Sequence, residues 1–295
     1  MNVNYIDIHS HLNLTPLYEN REAILERMRT DGVGTITVGT DLETSILATE
    51  IADANPGLCF ATVGFHPTNE NAPTESEWSE METLALHERV VAIGETGLDY
   101  FRDQSVETKA VQTEIFKRHI ELAINVGKPL MLHVRASKGL PAQAGSDDAY
   151  YDALGILNSA VIPASEPESR LKQQKEKILD QVQDDNTKNT LHANFHFFSG
   201  STQCMLDIVA AGFTVSVDGP ITFSHDYDEM IKVCPLESIM IETDAPFAAP
   251  VPYRGKPAEP WMVVEIAKKI AELKGLDVET VRAQMLKNTR KFFGM

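Results

Sequence analysis

The chain has 295 residues and carries 43 Asp and Glu against 26 Lys and Arg, a formal net charge of −17 with the histidines neutral. So acidic a protein does not wrap a polyanion with its whole surface, and any chemistry on nucleic acid has to be confined to one spot. A content of 43% hydrophobic and 23% charged residues excludes a mainly disordered chain, and the length admits either two domains or one large α/β barrel.

Short apolar runs alternate with helical patterns along the whole chain, the order expected of parallel βα units. Strands are predicted near 3–9, 33–38, 58–65, 89–94, 129–134, 191–197, 213–217 and 238–242. Helices are predicted over 19–31, 41–54, 75–87, 105–126, 201–211, 224–233, 260–274 and 277–287. Eight such strands predict a (β/α)8 TIM barrel of α/β class, so residues 1–295 are read as one barrel domain. The interval 137–190, between the fifth and sixth strands, is too long for a plain connection and is read as an insertion. Within it Leu171, Ile178, Leu179 and Val182 follow a helical period among charges such as Lys172 and Glu176. That pattern predicts a solvated surface helix, with a protein-partner contact through 165–189 as the other reading.

Cys59, Cys204 and Cys234 form no CxxC pair, which points away from a disulfide framework or zinc knuckle and toward a reducing compartment. The start MNVNYIDIHSHLN lacks the features of a signal peptide, and no run of about 18 apolar residues exists to span a membrane. The expectation is a soluble cytoplasmic protein.

The histidines and acids fall at a consistent place relative to the predicted strands. His9 and His11 end the first, His66 the third, Glu95 the fourth, His133 the fifth and His196 the sixth, and Asp244 follows the eighth. The carboxyl ends of barrel strands converge on the face where active sites are built. Imidazoles and carboxylates gathered there call for a cation. In His9-Ser10-His11 the residues i and i+2 project to the same side of a strand, so both rings can face one ion. A lone pair of this kind also arises as hydrogen-bonded polar residues at a strand end; Glu95, His133, His196 and Asp244 at the ends of other strands tip the balance to a metal centre. Asp7 is expected to be a buried hydrogen-bond partner. His87, His119, His192 and His225 are expected at the surface or at helix ends.

These motifs resemble the TatD-type metal-dependent deoxyribonucleases of the amidohydrolase superfamily. The resemblance runs through IDIHSHL (6–12), VGFHP (63–67), IGETGLDY (93–100), LHVRA (132–136), HFFSG (196–200), IETDAPF (241–247), PYRGKPAEP (252–260) and NTRKFF (288–293). It implies that His9, His11 and Asp244 hold one divalent ion, that His133 and His196 hold a second, and that Glu95 bridges them. Two such ions would activate a water for in-line displacement, with Asp244 also its proton acceptor. Other barrels of the superfamily use a carbamylated lysine, but the nearest candidate here, Lys128, precedes the fifth strand and sits at the wrong end. His66 is implied to contact the scissile phosphate or leaving group. Four imidazoles and two carboxylates suit Zn²⁺ and Mn²⁺, whereas Mg²⁺ prefers oxygen.

Arg102, Arg135, Lys138, Arg254 and Lys256 follow strands and form a candidate basic mouth, with Arg135 and Arg254 favoured as substrate contacts. Tyr100, Phe101 and Tyr253 are candidate stacking aromatics. The chain departs from the family pattern at Pro257 and Ala258, in the length of 137–190, and at His119, where glutamine is common. The leading reading is a metal-dependent phosphodiester hydrolase, a 3′-to-5′ exodeoxyribonuclease acting on single-stranded nucleic-acid ends or small phosphoesters. The same ligand set serves a metal-dependent ester or amide hydrolase, such as a D-aminoacyl-tRNA deacylase. A subunit docked into a multiprotein assembly is the third reading.

Overall fold

The computed structural model describes residues 3–102, 105–137, 147–161 and 191–295. Eight parallel strands follow one another around a barrel in chain order. They are β1 (Tyr5–Ser10), β2 (Val33–Val38), β3 (Cys59–Val63), β4 (Val90–Asp99), β5 (Leu130–Arg135), β6 (Ala193–His196), β7 (Thr214–Val217) and β8 (Ile239–Ile241). A parallel bridge from Ser10 to Ala245, just beyond β8, brings the last strand back to the first.

The outer helices are α1 (Leu17–Asp31), α2 (Leu42–Ala54), α3 (Glu75–Ala85), α4 (Val106–Val126), α5 (Asp148–Val161), α6 (Thr202–Ala210), α7 (Asp228–Val233), α8 (Val263–Lys274) and α9 (Val278–Phe293). Their starts are written in the sequence. Asp41 and Thr74 open α2 and α3 with capping boxes, and Ser105, Ser201 and Asp277 accept from the backbone of the first turns of α4, α6 and α9. Most of the buried apolar side chains lie in one shell between strands and helices. A smaller cluster including Val3, Ile6, Val91, Met131 and Phe293 packs toward the amino ends of the strands.

Two regions differ from the sequence expectation. The fourth strand does not stop before Glu95 but runs on to Asp99. Gly94 (φ 147°) and Gly97 (φ 141°) adopt backbone conformations that disfavour side chains. A Cβ on either would come within 2.3 Å of Met131 O or 2.1 Å of His133 O. The two glycines therefore let β4 press against β5 on both sides of Glu95, which the apolar pattern alone does not reveal.

Within the long β5–β6 interval, Asp148–Val161 forms α5, with Ala149, Tyr150, Ala153 and Leu157 buried at helical spacing. Asp148 accepts from Ser137 N and Oγ after β5, and Asp147 accepts from Ser201 N and Oγ after β6, so the start of α5 is tied to both neighbouring loops. Lys138, the helix expected around 171–182 and the contact expected through 165–189 lie outside the described residues. Among the described residues no helix is long and apolar enough to cross a membrane.

Candidate metal centre

His9, His11, Glu95, His133, His196 and Asp244 come together at the carboxyl end of the barrel. His9 Nε2 lies 3.3 Å from His11 Nε2, 3.4 Å from Glu95 Oε2 and 3.7 Å from Asp244 Oδ1. His11 Nε2 lies 3.5 Å from Asp244 Oδ1 and 4.0 Å from Glu95 Oε2. A tetrahedral cation with ligands at about 2.1 Å needs its ligand atoms about 3.4 Å apart. Four donors from three segments, the end of β1, β4 and the turn after β8, lie near that spacing, so this half of the cluster fits a divalent cation.

The other half is built around the second oxygen of the same carboxylate. Glu95 Oε1 is 2.9 Å from His133 Nδ1, 2.8 Å from His196 Nε2 and 3.4 Å from His66 Nε2. Each oxygen of Glu95 thus faces its own set of imidazoles, as a bridging carboxylate requires.

The far nitrogen of each ring decides what the near nitrogen can do. His11 Nδ1 faces Val38 O at 3.2 Å, His133 Nε2 faces Asp99 Oδ2 at 3.1 Å, and His196 Nδ1 faces Glu242 Oε1 at 3.4 Å. An acceptor on the far nitrogen draws the proton there and leaves a lone pair toward the centre. His66 is the reverse case. Its Nδ1 accepts the Thr68 backbone N–H at 3.1 Å and lies 2.7 Å from Thr68 Oγ1, so the proton of the neutral ring sits on Nε2 and points at the centre. Distance alone groups His66 with Glu95 and His133 as a possible cation site; the tautomer makes it a donor instead.

The backbone around the centre is strained. Asp244 (φ 49°) and Phe197 (φ 46°) both lie in the left-handed region. Asp244 N donates to His9 O at 2.9 Å, and Phe197 N donates to Glu242 Oε1 at 2.6 Å. Asp7 accepts from Thr243 N and Oγ1 and from His9 N, which ties β1 to the turn carrying Asp244.

Charge at the site is dense. Asp7, Glu95, Asp99, Asp218, Glu242 and Asp244 are all buried here. Burial opposes the ionisation of Glu95, but the imidazoles of His196, His66 and His9 and the hydrogen bond from His133 outweigh it and hold the carboxyl well below its ordinary range. Burial likewise pulls His196 down, and the carboxylates of Glu95 and Glu242 reverse this and raise it well above the ordinary value. Asp218 goes the other way, pushed well up by burial and by the charges of Glu242 and Asp244, and its Oδ2 has no partner among the described residues. Without a cation, protonated imidazoles have to balance these acids.

Thr68 and Asp218 stand outside the sequence motifs, and Asp99 and Glu242 lie within IGETGLDY and IETDAPF without a role that the sequence assigns them. For Asp99 a signal exists, since it follows Glu95 by four residues in one strand and so shares its face. His119 departs from the expected surface position. It is fully buried, because its ring bridges three segments: Nε2 accepts the Phe65 N–H at 3.0 Å, and Nδ1 faces Ile115 O at 2.8 Å and Thr96 Oγ1 at 2.9 Å.

Around the centre opens a cleft of about 620 Å³ lined in part by His66, Arg102, Arg135, Tyr227 and Phe247. Arg254 does not line it; its guanidinium lies 3.9 Å over Phe223 and donates to Ala249 O. Lys256 is exposed beyond it. Tyr100 is buried with its hydroxyl on Asp152, Tyr253 packs on Trp261, and Phe101 lies 3.7 Å beneath the Arg135 guanidinium.

The family model described as TatD related DNase matches residues 6–294. The chain belongs to the TatD-related DNase family. An uncharacterized metal-dependent hydrolase of Bacillus subtilis, YabD, is 32% identical, covering 97% of this chain and 98% of its own. The TatD of Mycobacterium tuberculosis, of the same description, is 30% identical and covers 98% of each. The crystal structure of the TatD homologue YjjV from Escherichia coli superposes over 100% of both chains with a TM-score of 0.79 at 24% identity, a likeness of fold. The chain is accordingly an enzyme, a metal-dependent hydrolase of the TatD family, with a barrel whose described residues include clusters able to hold metal.

Proposed function

We propose that the protein is a phosphodiesterase that binds two divalent cations and removes nucleotides from single-stranded DNA ends in the 3′-to-5′ direction. One observation carries the reading: the two oxygens of Glu95 face two separate donor sets, His9, His11 and Asp244 on one side and His133 and His196 on the other. The family name supports nucleic acid as the substrate. The same reading keeps the chain as one barrel unit, with 137–190 carrying α5 and an addition to the barrel.

His9, His11 and Asp244 would hold one cation, His133 and His196 the other, with Glu95 between them. When bound, the pair supplies Lewis-acid charge to the phosphoryl group and acidifies water near neutral pH. Zn²⁺ or Mn²⁺ suits the imidazole-rich set better than Mg²⁺. The chain's own residues do the rest. Val38 O, Asp99 and Glu242 fix the rings of His11, His133 and His196 so that their lone pairs converge. Asp244, at the mouth, takes the proton of the attacking water. His66 donates its Nε2 proton to a phosphoryl or leaving-group oxygen. Arg135 meets phosphate at the rim; Arg254, held on Phe223, acts at most on chain further out.

The test incubates purified protein with end-labelled single strands and Mg²⁺, Mn²⁺ or Zn²⁺. Stepwise shortening from the 3′ end is expected, and its loss in His9→Ala and Glu95→Ala. No cleavage with any of the ions would sink the reading. Release of a D-amino acid from charged tRNA with the RNA left intact would favour ester hydrolysis at the same centre.

A further inference from the structure

The cleft over the centre has two unlike walls. Among the described residues lining it, the Lys and Arg side chains are Arg102, shortly after β4, and Arg135, the last residue of β5. Tyr227 and Phe247 line it from the segments after β7 and β8. In the strand order β4 and β5 lie halfway round the barrel from β8 and β1, so Phe247 faces the two arginines across the acid and imidazole cluster.

Both walls are prepared for a ligand. Phe247 is 54% exposed, and of the large apolar side chains exposed in the described chain it alone lines the cleft. Its ring stands edge-on to His11, with centroids 6.1 Å apart, so a planar group laid on it ends beside the centre. On the other wall the Arg135 guanidinium is stacked 3.7 Å over Phe101. Stacking occupies the face of the guanidinium and not its in-plane N–H donors, which match the geometry of a phosphate.

We propose that the cleft holds a nucleotide base on Phe247 and, on the opposite side of the scissile phosphate, a second phosphate on Arg102 and Arg135. This rests on the phosphodiesterase reading and deepens it. The substrate is then a strand with at least two consecutive phosphates, and a lone phosphoester fills only the middle of the site. One exposed aromatic ring facing one cationic wall also suits one unpaired strand in an otherwise acidic protein.

The experiment measures binding of three phosphorothioate-linked thymidine dinucleotides to Zn²⁺-loaded protein by calorimetry: one with no terminal phosphate, one 5′-phosphorylated and one 3′-phosphorylated. One phosphorylated form should bind about tenfold tighter than the plain dinucleotide, and which form it is gives the direction of the strand. That preference should collapse to near unity in Arg102→Ala/Arg135→Ala, whereas Phe247→Ala should weaken all three alike, by about tenfold. Equal binding of the three by the wild type, or a preference that survives loss of both arginines, would overturn the proposal. Hydrolysis of the ordinary diester forms is followed in parallel. A binding preference without hydrolysis leaves the two walls standing and sinks the phosphodiesterase reading; hydrolysis without the preference does the opposite.

Discussion

Thr68 donates its backbone N–H to Nδ1 of His66 over 3.1 Å, and this bond separates His66 from the imidazoles that face the centre with a lone pair. A ring whose far nitrogen accepts must carry its proton on the near one. His66→Ala should therefore keep its full complement of metal by elemental analysis while kcat falls about 100-fold, the usual loss for one donor aimed at a developing charge. His196→Ala should lose metal as well as activity. Depletion of metal in the His66 variant would show that the tautomer has been misassigned.

Glu242 acts on the centre without facing it. Its Oε1 accepts from Phe197 N and lies 3.4 Å from His196 Nδ1, while Oε2 accepts from Ser216 Oγ at 2.7 Å. In Glu242→Gln one end of the amide turns a donor toward a donor, and the His196 ring loses the charge that orients it. Metal affinity, measured by competition with a chromophoric chelator, should fall about 10- to 100-fold. Asp99→Asn should act in the same way through His133 Nε2.

Removal of metal should weaken the fold itself. The carboxylates of Glu95, Asp99, Glu242 and Asp244 are buried around one point, and a cation bound only by the folded state adds stability by mass action. At a free metal concentration of about 100 Kd this is worth about 3 kcal/mol, so chelation should lower Tm by several degrees in calorimetry. Glu95→Gln should abolish most of that difference. A Tm indifferent to the chelator would mean that the cluster holds no cation in the folded protein.

What the chain discloses of this site follows the strand periodicity. His9 and His11 are legible because two residues separate same-side positions in a strand, and the apolar runs set the barrel order. Asp99 falls outside the predicted fourth strand because Gly94 and Gly97 interrupt the β-forming pattern that would have extended it; their role appears only when β5 is seen against them. Asp218 lies just beyond a short strand, and Glu242 is the last residue of the predicted eighth strand but one past the end of the observed one, where alternation no longer fixes direction. Arg254 follows a strand as Arg135 does, yet its own side chain folds back onto Phe223, a contact 31 residues away in sequence that no local pattern foretells. His119 is hidden for a similar reason, since its partners Phe65 and Thr96 belong to two other units of the barrel.

His119 also makes stability depend on pH in a stated direction. Burial holds the imidazole down at about 4, against the ordinary 6.5, and the Phe65 N–H pointing at Nε2 leaves no room for a second proton. Between about 4 and 6.5 the unfolded chain binds a proton at this residue that the folded one does not, so stability rises with pH through that window. The contribution is complete above 6.5 and is lost as the pH falls to about 4; the gap amounts to about 3 kcal/mol. His119→Gln keeps an acceptor for Phe65 N–H and a donor for Ile115 O but does not titrate. The difference in urea midpoint between wild type and this variant, followed from pH 7 to pH 4, should therefore shift steadily against the wild type, with the titration of the other groups common to both. A constant difference would mean that the ring takes up its proton in the folded protein at the same pH as in the unfolded chain, and that Phe65 N–H finds its acceptor elsewhere.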